Sequence, residues 1–436
     1  NPVAVELAEV SLWLNAMYIQ DNGAPPVIPW FGNQLVCGNS LIGARRQVFA
    51  TELLEENRKG RETWLDVVPE RIPLGANRPE KTVWHFLVPD AGMANYTDRV
   101  VRGMAKEETQ QIKQWRKDFI RPFRAGEIAT LVRLSGAADK LWKLHVGQCR
   151  EVRRATREGY RFFGYDDGKI YPYRLTTKEK DDRFNRLILS VDEPVSSPFQ
   201  RLKLVMDYWC ALWFWPLQKA AILPTRDEFL MDLSLILEGS VYESTPASGE
   251  QLSLLPDDRP TQAEIDFSNE FGNVNVDALW GDGIERFALV RNLAEKHRFH
   301  HWELVFADLF ADRGGFDLVL GNPPWIKIEW NEGGLLGDYD PLFILRKFSA
   351  AQLAILREET IEKRGIRDEY LHEYAAFEGT QNFLNALQNY PILRGTQSNL
   401  YKCFLPQAWM IGTEQGVSGF LHPEGVYDDP NGGNFR

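Results

Sequence analysis

At the start of the chain, apolar residues fall at three- and four-residue intervals. Val3, Leu7, Val10, Leu14 and Met17 lie on one face of a predicted helix. Asn1 before Pro2 opens it, with a side-chain oxygen at the cap and a proline where no N–H is needed. The turn Gly23-Ala24-Pro25-Pro26 ends it. Gln34 to Cys37 is a short apolar run closed by Gly38-Asn39-Ser40, which predicts a strand leading into a loop. Beyond Val48 the pattern turns helical and charged, with long blocks over Thr97 to Phe119 and Glu127 to Tyr160 and an apolar one over Arg201 to Trp215. Gly239 to Pro260 is rich in Ser, Pro, Gly and acidic residues, the composition of a linker. Gly314-Gly315 makes a turn before Phe316-Asp317-Leu318-Val319-Leu320, which predicts a buried strand. A second helical block runs from Leu342 to Leu387, then a helix over Ser398 to Met410 capped by Ser398 or Asn399, then a strand over Val417 to Leu421.

Composition narrows the class. Hydrophobic residues make up 44% and charged residues 25%, ordinary for a globular chain, and 436 residues suffice for two or three compact units. The longest apolar run, Tyr208 to Leu217, is too short to span a bilayer, and no signal peptide opens the chain. Cys37, Cys149, Cys210 and Cys403 are far apart without Cys-x-x-Cys spacing, which argues against a zinc ribbon or disulfide framework and for a reducing, cytoplasmic setting. The net charge of -11 disfavours a surface that grips nucleic acid everywhere. Arg150, Arg153, Arg154 and Arg157 make a local basic cluster, read first as a solvated helix face and second as a phosphate contact. His297, His300 and His301 lack the Glu of a zinc-protease motif and are read as ordinary histidines. Asp308, Asp312 and Asp317 are read as solvated acidic turns rather than nuclease carboxylates, and Cys403 as a packed small hydrophobe.

The chemistry concentrates at Asn322-Pro323-Pro324-Trp325. Two prolines cannot continue a ladder, so the chain leaves the strand there, at the carboxyl edge where open α/β sheets bind ligands. An adenine amino nitrogen is a poor nucleophile because its lone pair is delocalised into the ring. Two acceptors on its hydrogens draw it towards a tetrahedral state: the Asn322 carboxamide oxygen and the Pro323 carbonyl, with Pro324 restricting Pro323 to an extended conformation. Trp325 offers a ring to an extruded base, worth roughly 1–3 kcal/mol, comparable with the cost of flipping.

Phe316 to Trp325 resembles the catalytic motif of amino-methyltransferases, (Asp/Asn/Ser)-Pro-Pro-aromatic. Phe299-His300-His301-Trp302-Glu303-Leu304 is similar to the lead-in of large bacterial methylases of restriction–modification and phage-defence systems. Asn1 to Ala8 resembles their second cofactor motif, Cys37 to Gly43 their third, and Asn399-Leu400-Tyr401-Lys402 with Gly416 to Leu421 the helix and strand after the catalytic loop. The nearest relatives by resemblance are PglX-like and DISARM-type methylases.

The resemblance implies a partial Rossmann-like α/β methyltransferase sheet with large, mainly helical insertions. The expected organisation is a cofactor half over 1–47, a helical insertion over 48–290, the catalytic part over 291–330, a second insertion over 331–397 and the closing helix and strand over 398–436. It implies S-adenosyl-L-methionine as cofactor, with Asn1, Asn39 and Ser40 in the cofactor motifs, although many relatives carry Asp where Asn39 stands. It implies adenine-N6 methylation of double-stranded DNA carrying a flipped adenine, in the cytoplasm, with no metal and no membrane, other defence subunits being further partners. The glycine-rich first motif and its acidic companion are expected just before Asn1, so the chain is read as a fragment that binds the cofactor poorly and is inactive alone. Two other readings stand beside this: a methyltransferase acting on RNA or on a protein glutamine, and a catalytically silent scaffold in a defence complex.

Overall fold

The computed structural model describes residues 2–16, 30–55, 62–157, 175–191, 196–239, 285–346, 348–394, 399–428 and 433. Helix α1 (Pro2–Ala16) forms where the spacing predicts it. Its apolar face is not part of the core, and Val3, Leu7, Val10 and Leu14 are all exposed. The strand expected over Gln34 to Cys37 does not form. A single 3-10 turn, Gly32–Gln34, leads into irregular chain, and Asn39 makes one isolated parallel bridge with Phe299. A short extended run stays a strand only with a neighbour to ladder against, and here the loop takes its partners from residues 298–300 instead.

The region expected to be mainly helical begins with a small sheet. β1 (Gln47–Ala50), β2 (Glu70–Arg71) and β3 (Thr82–Trp84) pair antiparallel in the order β2-β1-β3. Runs of two to four residues carry no readable period, and Val48, Phe49, Val83 and Trp84 reveal their role only by being buried. Helices then follow: α2 (Arg99–Met104), α3 (Lys106–Phe119), α4 (Ala125–Thr156), α5 (Thr177–Leu187), α6 (Pro198–Ala211), α7 (Arg226–Glu238) and α8 (Glu285–His297). The block over Thr97 to Phe119 is two helices, because Ala105 sits at φ -123°, ψ 58° between them. Thr176, Ser197 and Thr225 each cap a helix reciprocally with a Glu or Gln three residues on.

The tryptophan-rich core lies where α6 packs on α4, α7 and α8. Tyr208, Trp209, Trp213 and Trp215 are fully buried, with Trp209 and Trp213 edge-on to Phe383 from the second insertion. The Ser- and Pro-rich stretch beyond Gly239 lies outside the described residues.

The last part of the chain carries a strand–helix–strand unit. After α9 (Trp302–Val305) and α10 (Ala307–Arg313), Gly314 and Gly315 turn the chain into β4 (Phe316–Gly321). Gly315 is at φ +153°, and a Cβ there would lie 2.4 Å from the Ile411 carbonyl oxygen, so only glycine fits. The second insertion holds α11 (Glu332–Gly337), α12 (Leu342–Leu345), α13 (Ala350–Arg364) and α14 (Arg367–Asn385). α15 (Leu400–Ile411) then feeds β5 (Gly412–Phe420), and α16 (Gly425–Asp428) follows. Asn399 occupies the cap position of α15 without a side-chain cap bond, and Ser398 lies outside the described residues.

β4 and β5 pair in parallel with Leu318 opposite Val417 and Leu320 opposite Gly419. β4 departs from the expectation in burial: Leu318 is 56% and Leu320 70% exposed. Among the described residues β4 has a neighbour on one edge only, so nothing covers this face. The described strands thus form one three-stranded antiparallel and one two-stranded parallel sheet within a largely helical α/β chain.

Candidate functional site

The prolines do at the end of β4 what their chemistry requires. Gly321 is the last paired residue, and Asn322 leaves the strand exposed. Pro323 is buried, Pro324 is exposed, and Trp325 is 59% exposed. The corner is fixed at both ends. Leu421 donates its N–H to the Gly321 carbonyl (3.1 Å), and its own carbonyl accepts the Trp325 indole N–H (3.2 Å). Beyond the corner, the Leu400 N–H donates to Ile326 (3.0 Å), and Lys327 forms an isolated antiparallel bridge with Asn399. The result is a rigid turn at the carboxyl edge of a parallel pair, with a carboxamide facing solvent and an indole pinned by its N–H while its ring stays accessible.

The second candidate loop is held by the lead-in to β4. The Asn39 N–H donates to the Arg298 carbonyl (2.7 Å), while its side-chain oxygen accepts from the Leu41 N–H (3.2 Å), a local Asx turn. The Trp302 indole donates to the Ser40 carbonyl (3.0 Å), and the His300 N–H donates to Ile42 (2.8 Å). Glu303 accepts from the Arg46 N–H (2.6 Å) and from the Arg71 guanidinium (3.3 Å). Gly43 is obligatory here, since a Cβ would lie 2.0 Å from the His300 carbonyl oxygen. The cleft beside this loop, lined by Ser40, Arg45, Glu303 and Gln407, has room for about one water molecule. It does not fit an adenosyl group as it stands.

No described contact joins the two loops. Ser40 reaches β4 through Trp302, whose ring meets Phe316 edge-on at 5.8 Å at the first residue of the strand. Asn322 follows the last residue, roughly 20 Å further along at about 3.3 Å per residue. Asn1 lies outside the described residues.

Sequence reasoning missed a network behind the cofactor-motif loop. The Arg45 guanidinium donates to Gln407 on α15 (2.7 Å) and to the Asn389 carbonyl (3.0 Å), and it lies over the Tyr390 ring. The Tyr390 hydroxyl donates to the Leu41 carbonyl (2.6 Å). These residues are some 350 positions apart, and no local pattern announces them.

The other titratable clusters are structural. His301 accepts from the Ala44 N–H at Nδ1 (3.0 Å) and pairs through Nε2 with Asp207 (3.0 Å), which also meets Lys203 (2.5 Å). Burial lowers the pKa of His301 and takes His300 down to about 4. Among the described residues no group of three or more His, Cys, Asp or Glu is placed to hold a metal. Arg150 and Arg153 of the basic cluster are ion-paired to Asp312 and Asp308 of α10. Asp308 is therefore a buried, paired carboxylate rather than a solvated one. Burial pushes the Cys403 thiol up to about 12, as for a packed apolar side chain. No helix among the described residues is long and apolar enough to cross a membrane.

Compared with known families, residues 172–351 match the model of the Eco57I restriction-modification methylase. The match covers less than half of the chain, yet it includes α9, α10, β4 and the whole Asn322 corner. It supports a methyltransferase of restriction–modification type. No curated protein and no solved structure gives a significant match.

Proposed function

We propose that this chain carries the catalytic corner of an S-adenosylmethionine-dependent DNA adenine-N6 methyltransferase of a bacterial restriction–modification or phage-defence system. The observation that carries the reading is the corner after β4, where Asn322 is exposed beside a pinned, accessible Trp325. In this reading the sheet is part of a Rossmann-like core. The Asn322 carboxamide oxygen and the Pro323 carbonyl accept from the two hydrogens of the target amino group. Pro324 holds that carbonyl in place, and Trp325 stacks on the extruded adenine. S-adenosylmethionine is the donor that the resemblance implies, with Asn39 and Ser40 on its adenine side. The cleft beside Ser40 is too small for it, so this part of the reading rests on the motif alone.

The test is transfer of labelled methyl groups from S-adenosylmethionine by the full gene product, offered duplex DNA, RNA and protein in parallel. Label is expected in N6-methyladenine of duplex DNA. Asn322→Ala is expected to lower the rate about 10²–10³-fold, the usual loss for one preorganised polar group. Label confined to RNA or protein would transfer the reading to that substrate, and an active Asn322→Ala enzyme would refute the assigned role.

A further inference from the structure

The carboxyl edge that bears Trp325 bears a second aromatic assembly, which the roles assigned above leave unused. Leu421, the residue that anchors the Trp325 indole, is followed directly by His422. The His422 ring lies parallel to that of Tyr401, 9° between planes and 5.7 Å between centroids. It also meets the ring of Tyr427 at 6.0 Å and 37°. Tyr401 is only 3% exposed and, with Leu405, Val426 and the flanking Phe420, forms a small separate core beneath the assembly. Tyr427 is 63% exposed. The His422 imidazole is held in turn by a 2.8 Å hydrogen bond between Nδ1 and the Pro423 carbonyl. The assembly thus rises from a packed base, through an oriented imidazole, to an exposed phenol ring.

Such an arrangement has a cost unless the exposed ring meets something. An aromatic side chain left largely in water on a stiffened support forgoes its burial energy. The nearest ligand chemistry is that of Trp325 itself. Flipping one base leaves its neighbours partly unstacked, and a π-face of any base suits a tyrosine ring without sequence readout. We propose that Tyr427, supported by His422 and Tyr401, stacks on a second nucleobase of the strand whose adenine lies on Trp325. The inference rests on the DNA-methyltransferase reading and adds a binding residue to it. Glu424 and Asp428 flank the platform, so the contact depends on stacking and not on phosphate attraction.

Binding of a fluorescent-labelled single-stranded DNA oligonucleotide containing adenine tests this without catalysis and without knowledge of a recognition sequence. The variants are Tyr427→Ala, Tyr427→Phe, Trp325→Ala and, as a control for an exposed aromatic elsewhere, Trp409→Ala on α15. Circular dichroism and melting establish that each is folded. Tyr427→Ala is expected to weaken binding about tenfold, within the range for one base stack. Tyr427→Phe should restore binding, and Trp409→Ala should leave it unchanged. Wild-type affinity in Tyr427→Ala alongside a loss in Trp325→Ala would overturn this inference and leave the proposed function standing. Unchanged binding in both would overturn the two together. Failure of Tyr427→Phe to rescue would also overturn the stacking role, because the ring is what the proposal requires.

Discussion

At the scale of single residues, the corner after β4 shows how sequence and structure divide the work. The two prolines and the glycine before them made the turn legible, since a residue without an N–H cannot stay in a ladder. That the Trp325 ring would be pinned was not legible, because its partner, the Leu421 carbonyl, stands 96 positions away. This bond makes a specific prediction. Trp325→Phe keeps a ring to stack on a base but loses the anchor, a neutral hydrogen bond worth about 0.5–1.5 kcal/mol. In a methyl-transfer assay with the full gene product, kcat is expected to fall about two- to tenfold with little change in KM. Trp325→Ala, which also loses the stack, should impair both. Equal activity in Trp325→Phe and wild type would show that the indole N–H orients nothing that matters. The neighbouring lead-in teaches the converse. Trp302 and Glu303 stand out by resemblance, and the structure gives them the concrete task of holding the loop from Ser40 to Arg46.

At the scale of elements, helices were easier to foresee than strands. α4, α6, α14 and α15 carry apolar residues at helical spacing over many turns, and the caps Ser197 and Thr225 mark their starts. β1 to β3 carry too few residues for a period of two to show, and the stretch before Asn39 has strand composition but no strand beside it. β4 was foreseen as a strand and misjudged in burial. Its apolar residues suit a sheet covered on both faces, but Leu318 and Leu320 are exposed together with Val417 across from them. An apolar strand with one unpaired edge favours association. Leu318→Lys and Leu320→Lys, separately or together, are expected to change the stability of the isolated chain by no more than about 0.5 kcal/mol and to reduce its self-association in sedimentation or light scattering. A large loss of melting temperature in either variant would mean that this face is covered in solution.

At the scale of the whole molecule, burial of histidine sets a pH dependence. Burial takes the pKa of His85 down to about 3, and those of His145 and His300 to about 4. In the unfolded chain each sits near 6.5. Between about pH 4 and 6.5 the unfolded chain therefore binds more protons than the folded one at these sites, and stability rises with pH there. The stabilisation is complete above about pH 6.5 and is lost as the pH falls towards 4. Asp90 acts in the opposite direction. Burial pushes its carboxyl up to about 6, so it favours the folded state as the pH drops, but it is one group against three. Thermal melts are expected to show a midpoint several degrees lower at pH 5 than at pH 7. A midpoint unchanged or higher at pH 5 would contradict this balance.

The sequence by itself determined the locations of the long helices, the sharp exit of the chain at Pro323, and the residue types offered for an amine-directed site, because these follow from local spacing and from groups each residue carries or lacks. Only the tertiary structure decided which of those groups are held in place. The Leu421 anchor, the Arg45 link to Gln407 and Tyr390, and the His422 assembly all join residues distant in the chain. Such contacts follow from how faces pack, and a pattern confined to neighbouring residues carries no information about which distant face arrives.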